Sequence, residues 1–279
     1  MKKLTALLLA VLMVLAFAGC GSKEKANVKL TIVNEELGAE EYGIAFRNGE
    51  DEVCNYIDAA VQELVKNGKY AEIANKYPDI VDNLLFLNGE SKSDGVAVDL
   101  STAKPEARTF TMGIDPEYNP FSYMGDDGEY TGFDVEVCKA ACDVLGWEFK
   151  VFGVNWDQKL VQLDAKECDC VWSGMTILDS MKEAGYVIST PYYYNTQVLV
   201  VAEDGDIKSS KDLKDKVVAV QLGTSGESLL NEDLSDLKDT FKELVTCDSF
   251  LKCFTELEGG AVDAVFVDYP VAKAYVSGK

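Results

Sequence analysis

The sequence predicts an α/β fold with largely parallel sheets, and three observations carry that expectation. Runs with strand character alternate with helical runs at the spacing of strand–helix–strand units from Phe110 to Val267. The composition is that of a packed globular protein, with 47% apolar and 27% charged residues, which leaves no case for disorder or fibre. A polar stretch, 89–106, separates two unlike segments and reads as a linker. A length of 279 residues suits one large domain or two smaller ones.

From the amino terminus, Met1-Lys2-Lys3 is followed by an apolar run from Leu4 to Ala18. That run is shorter than the ~20 residues a membrane-spanning helix needs, and it ends in Ala18-Gly19-Cys20, the layout of a secretory signal peptide. A cysteine directly after Ala-Gly resembles the lipobox of bacterial lipoproteins, which would make Cys20 the lipidated first residue; the alternative is an ordinary signal peptide with a chance cysteine. Residues 21–27 then read as a flexible tether. Loss of residues 1–19 removes Lys2 and Lys3 and takes the net charge from −22 to −24. So acidic a surface repels phosphate backbones and excludes nucleic acid as a partner.

Val28–Val33 alternates like a short strand, and Tyr42–Phe46 reads as another. Asp51-Glu52 open a helix whose Val53, Ile57, Ala60, Val61, Leu64 and Val65 form one apolar stripe, and Asn67-Gly68 stop it. A second helix follows around 70–76. Past the linker, Phe110–Ile114, Phe149–Val154, Cys168–Trp172, Val198–Ala202, Val217–Gln221 and Ala264–Val267 are expected strands. Val135–Leu145 is an expected helix, ended by Gly146.

Seven cysteines remain besides Cys20. Export permits disulfides, yet an odd count leaves one thiol over within a chain. Cys138 and Cys142 sit four apart on an expected helix, and Cys168 and Cys170 alternate on an expected strand. With no histidine to complete a zinc set, small buried hydrophobes are their expected role and no metal is predicted.

Three segments follow strands and open a helix or turn: Asp115–Phe121, Ser173–Thr176 and Gln221–Gly226. Carboxyl ends of strands are where open α/β sheets bind ligands, and Gly174, Gly223 and Gly226 would let backbone approach a guest closely.

At these residues the chain resembles the polar-amino-acid class of solute-binding proteins that serve ABC importers (family 3 type). The resemblance rests on Tyr118-Asn-Pro-Phe121, Gly132-Phe-Asp134, Trp156-Asp157, Cys168-Asp169 with Ser173-Gly-Met-Thr-Ile177, and Ser189-Thr-Pro-Tyr-Tyr193. It continues through Asp212-Leu-Lys214, Gln221-Leu-Gly-Thr-Ser225 and Asp263–Tyr269, in the family's order. The stretch Lys29–Tyr77, with Glu41–Gly49, is similar to the segment that normally closes such proteins, yet here it comes first. A circular permutation accounts for this, with the old termini joined through 89–106; a truncated tandem fusion is the alternative.

The resemblance implies a two-lobed periplasmic-binding-protein type II fold with a two-strand hinge, circularly permuted. Lobe 1 would take 41–88 and 107–198, and lobe 2 would take 28–40 and 199–279. It also implies a ligand site. Asp268 would pair with an ammonium, helped by the Gly174 carbonyl and the Thr176 hydroxyl; the plain alternative is a helix N-cap before Pro270. The N–H groups of Thr176 and Ser225 would meet the carboxylate. Tyr118 and Trp156 would wall the pocket, with a place in the core as the alternative for each; Ser173 belongs to the same motif, and Asp115 would accept a bond from the ligand's side chain or simply brace its loop. The family's usual arginine is missing: Met181 stands in its place, with Lys182 next as a substitute cation or a solvated surface lysine.

The implied function is an extracytoplasmic solute-binding lipoprotein of an ABC transporter, a monomer without cofactor. Its partners would be an amino acid or similar small solute, the permease, and the membrane through Cys20. A lyase or dehydratase on the same fold and a sensory ligand-binding module are the alternatives. No nucleophile–base pair is visible in the sequence, so no enzyme activity is expected.

Overall fold

The computed structural model of the chain describes residues 28–89 and 98–278. The expectations for the signal peptide, Cys20 and the tether, and for the middle of the linker, fall outside the described residues.

The amino-terminal part supplies β1 (Leu30–Ile32) and β2 (Gly38–Phe46). After the linker come β3 (Thr109–Ile114), a small sheet of β4 (Glu117–Tyr118), β5 (Ser122–Met124) and β6 (Tyr130–Thr131), then β7 (Glu148–Gly153) and β8 (Cys170–Thr176). β9 (Val187–Ile188), β10 (Tyr193–Ala202), β11 (Val217–Gln221), β12 (Glu243–Cys247) and β13 (Ala264–Asp268) complete the set. The main sheet runs β12-β11-β13-β10-β2-β8-β3-β7, with β1 beside β10 and β9 beside β2.

Its two flanks are parallel: β12, β11 and β13 on one side, β8, β3 and β7 on the other. The centre is antiparallel, because β10 pairs with β13 and β2, and β2 with β8. The expectation of largely parallel sheets therefore holds for the flanks and is corrected at the centre. β2 changes partner along its length, pairing with β10 from Gly38 to Tyr42 and with β8 from Tyr42 to Ala45. Tyr42 is thus the residue at which one half of the sheet hands over to the other.

Helices form where sequence patterning and end signals agree. Asp51–Lys66 carries acids in its first turn and Lys66 in its last, and buries Cys54, Ile57, Ala60, Val61 and Leu64. Phe133–Leu145 ends at Gly146, whose left-handed φ of 72° lets the Trp147 N–H reach the Cys142 carbonyl. All seven cysteines of the described residues are buried free thiols. Cys138 and Cys142 pack in the core that runs beneath both halves of the sheet.

One element differs from its expectation in a way that shapes the site. Ser173–Thr176 is not a loop; it is the second half of β8. Pairing with β2 holds the chain extended through Thr176, but the register slips between Gly43 and Ala45, and Gly174 takes φ +52°. A Ser-Gly step reads locally as a strand end, and a neighbouring strand overrides it.

Candidate functional site

The carboxyl ends of β3, β8, β11 and β13 converge on a closed cleft. It holds a cavity of about 50 Å³. Gly174, Met175 and Thr176 of β8 form one wall with Tyr118, and Gly223, Thr224, Ser225 and Ser228 form the facing one. Trp156 and Lys159 cover one side, Leu178 and Met181 line it too, and Asp268 enters from the end of β13.

Backbone geometry explains the close fit. A Cβ on Gly174 would lie 2.2 Å from Tyr118 Cε1, so only glycine lets that ring approach the strand so closely. On the opposite wall, Gly223 has φ +75°, and a Cβ there would sit 2.6 Å from Asp157 Cα. Three hydrogen bonds bridge the walls. Thr176 Oγ1 donates to Ser225 Oγ at 3.0 Å, Lys159 Nζ donates to the Gly223 carbonyl at 2.6 Å, and Gln221 Nε2 donates to Asp115 Oδ2 at 2.7 Å.

Asp268 is the electrostatic centre. Its Oδ1 accepts from Tyr42 OH at 3.0 Å, Asn195 Nδ2 at 2.6 Å and Gln197 Nε2 at 2.7 Å. Strand register puts those amides there, since Gln197 lies opposite Asp268 and Asn195 opposite Glu40. Both amides also donate to Glu40 Oε1, at 2.6 and 2.9 Å. Burial pushes the Asp268 carboxyl well above the usual carboxylate range, and the neighbouring Glu40 carboxylate pushes it further; the Tyr42 and Gln197 bonds oppose both. A cation delivered to this carboxyl would favour its charged form and so oppose the effect of burial and of Glu40. Asp268 occupies the N-cap position of the helix Tyr269–Val276 but makes no side-chain cap bond. Its Oδ1 is engaged across the sheet instead.

Tyr42 OH lies 2.6 Å from Tyr118 OH, which extends the network to the aromatic wall, where Tyr118 stacks on Phe121. Behind Gly174, the fully buried Asp134 accepts from the Gly174 N–H at 2.8 Å and from Tyr192 OH at 2.7 Å. Burial pushes its pKa up to about 7.

Of the residues singled out from sequence, the structure brings together Tyr118, Trp156, Gly174, Thr176, Ser225 and Asp268. Three lie elsewhere. Ser173 is fully buried and turned away from the cleft, accepting from the Asp115 N–H at 3.0 Å and lying 2.5 Å from Ser122 Oγ. Asp115 spends its oxygens on the Glu117 N–H and on Gln221, so it braces the wall from behind. Lys182 is exposed and sits 3.6 Å from Asp179 on its own helical turn, because Met181 takes the inward position.

Lys159, which sequence reasoning missed, is the cation that lines the cavity. It looks like one charge among many, and its only signal is helical spacing: Trp156, Lys159 and Leu163 fall at i, i+3 and i+7. Glu40, Asn195 and Gln197 were also missed, since nothing local says that three distant segments are adjacent strands.

The profile of "Bacterial extracellular solute-binding proteins, family 3" matches residues 110–244. The L-cystine-binding protein TcyJ of Escherichia coli (strain K12) is 37% identical over 165 residues, which is 58% of this chain and 60% of that protein. An ancestral arginine-binding protein solved with arginine is 34% identical, with a TM-score of 0.57 over 61% of this chain and 74% of that one. The chain belongs to family 3 of the bacterial extracellular solute-binding proteins. A histidine-bound substrate-binding protein of an ABC uptake transporter from Streptococcus pneumoniae superposes with a TM-score of 0.59 at 27% identity, over 61% of this chain and 70% of that one. The match spans about 60% of the length of the curated family-3 relative, and residues 28–88 lie outside the profile's matched block. Among the described residues, no helix of this family-3 chain is long and apolar enough to cross a membrane.

Proposed function

We propose that the chain is the solute-binding lipoprotein of an ABC importer. It captures a polar amino acid or similar small solute between its two sheet halves and is held at the outer face of the membrane by lipidated Cys20. The observation that carries this reading is a buried carboxyl, Asp268, fixed by three side-chain donors on the lining of a cleft whose walls come from different sheet halves. An ammonium neutralises Asp268, and Tyr118 and Trp156 stack on the guest. Contacts from both walls exist only in the closed form, so ligand favours closure, and the closed shape is what a permease would recognise. Relatives that bind cystine, arginine and histidine support an amino acid as the ligand class.

The same reading includes a circular permutation, with lobe 1 built from 41–88 and 107–198 and lobe 2 from 28–40 and 199–279. Two facts support it. The profile match begins at residue 110, while the earlier segment supplies β1 and β2 to the same sheet. The final helix, Tyr269–Val276, also packs against β1, so the present ends of the fold lie near each other.

A thermal-shift screen of the twenty amino acids and L-cystine tests the ligand class. Selective stabilisers are expected, with a gain of about 2.7 kcal/mol at a ligand concentration 100 times Kd. The ligand should be recovered unchanged. Asp268→Ala should abolish the shift. No stabiliser among the twenty or with L-cystine refutes the amino-acid reading, and consumption of the ligand refutes pure binding.

A further inference from the structure

The cleft carries one acidic and one basic side chain on its lining, Asp268 and Lys159. They reach it from different elements, Asp268 from the end of β13 and Lys159 from the helix Lys159–Asp164. Lys159 is not placed like a surface lysine. Its Nζ donates to the Gly223 carbonyl at 2.6 Å and the Trp156 carbonyl at 3.2 Å, and stands 4.7 Å from the centre of the Trp156 ring. An ammonium has three N–H donors, and these two bonds leave one for a guest. Its carboxylate neighbours are turned to other partners: Asp115 to Gln221 and Glu117, Asp157 to Gln158, and Glu227 to the Gly223 N–H. No salt bridge to Lys159 forms among the described residues.

We propose that Lys159 is the carboxylate-binding cation of the cleft, so that Lys159 and Asp268 together form a charge pair matched to an α-amino acid. The proposal rests on the solute-binding reading and adds the residue that takes the ligand's negative end. Burial supports it, holding the Lys159 ammonium down to about 8 against the pull of Asp157, Asp115 and Glu227. A buried cation without a salt bridge is stabilised most by a carboxylate brought to it. Lys182, the other candidate for this role, is exposed and faces Asp179.

The Gly223 bond also permits a simpler role, a latch holding the cleft shut, and the experiment separates the two. Isothermal titration is run with the tightest amino acid from the thermal-shift screen and with its carboxamide, which keeps the ammonium and side chain but has no carboxylate. The protein is compared with Lys159→Gln and Lys159→Arg. Lys159→Gln should weaken the amino acid on the order of 30-fold or more and the carboxamide only about 3-fold or less, in line with the loss of one partner of a desolvated charge pair. Lys159→Arg should recover most of the lost affinity and keeps the proposal testable should the glutamine variant not fold. Equal losses for acid and carboxamide would make Lys159 a latch and overturn the proposal. Unchanged amino-acid affinity in Lys159→Gln would also overturn it, while leaving the solute-binding reading intact. If the unaltered protein binds no amino acid at all, the amino-acid reading falls first and this proposal with it.

Discussion

Asp134 offers a prediction in which sign and size both follow from the structure. It sits in the first turn of the helix Phe133–Leu145 with no exposure, and its Oδ2 accepts from Gly174 N–H and Tyr192 OH. The Trp172 indole lies near enough to lower the carboxyl's pKa but makes no hydrogen bond of good geometry, and Oδ1 is without a partner. Burial outweighs these favourable contacts, and the pKa stands at about 7 against an ordinary 3.8. A raised folded pKa means the native state holds the proton more tightly than the unfolded chain. The stability this contributes is complete below about pH 4 and is lost as pH rises through about 7. Three units at 1.36 kcal/mol each give about 4 kcal/mol over that window. Asp134→Asn removes the titration, while its amide oxygen can still accept both bonds; its NH2 group replaces the unpartnered Oδ1, a penalty of about 1–3 kcal/mol that does not vary with pH. Urea denaturation of both proteins between pH 4.5 and 8 measures the difference. The variant should be less stable at the acid end, and the gap should close or reverse by pH 8. A gap that stays constant to within about 0.5 kcal/mol across the range would refute the assignment of a neutral, desolvated carboxyl.

Gly174→Ala forces a side chain into φ +52° and against the Tyr118 ring; stability should fall by about 1–3 kcal/mol and ligand-induced thermal shifts should vanish. Phe121→Ala empties a fully buried position among Tyr42, Tyr118, Phe133 and Tyr193 and should cost about 3–5 kcal/mol in chemical denaturation. Thr224→Ala removes the side-chain acceptor for the Glu227 N–H at the start of the helix Ser225–Asn231, with an expected loss of about 1 kcal/mol in the same assay. A chain reopened within 89–106, with residue 278 joined to residue 28 through a short flexible linker, should fold with an unchanged circular dichroism spectrum and ligand profile; an unfolded product would count against the permutation.

The sequence by itself determined most of the periodic elements and the ends of several. Val217–Gln221 and Ala264–Val267 carry strand composition, and the acids at 51–52 and Gly146 mark helix ends, because these signals act between residues a few positions apart. Three segments at strand ends were legible for the same reason, while Trp156 and Asp268 came from the family resemblance. The tertiary structure alone decided the rest. β12 was not legible, since Glu243-Leu-Val-Thr-Cys247 is short and polar at its start and becomes a strand only beside β11. Ser173 and Thr176 share one motif, yet the first is turned into the protein and the second into the cleft, on a strand bent by the Gly174 conformation and the slipped register with β2. Whether Lys159 or Lys182 lines the cleft depended on which helix face packs toward the opposite wall, and the network around Asp268 depended on β10 lying between β2 and β13. Local patterns set what most segments become; which side chains meet across the cleft is a property of pairing between segments 49 to 106 residues apart in the chain, and no short-range rule encodes it.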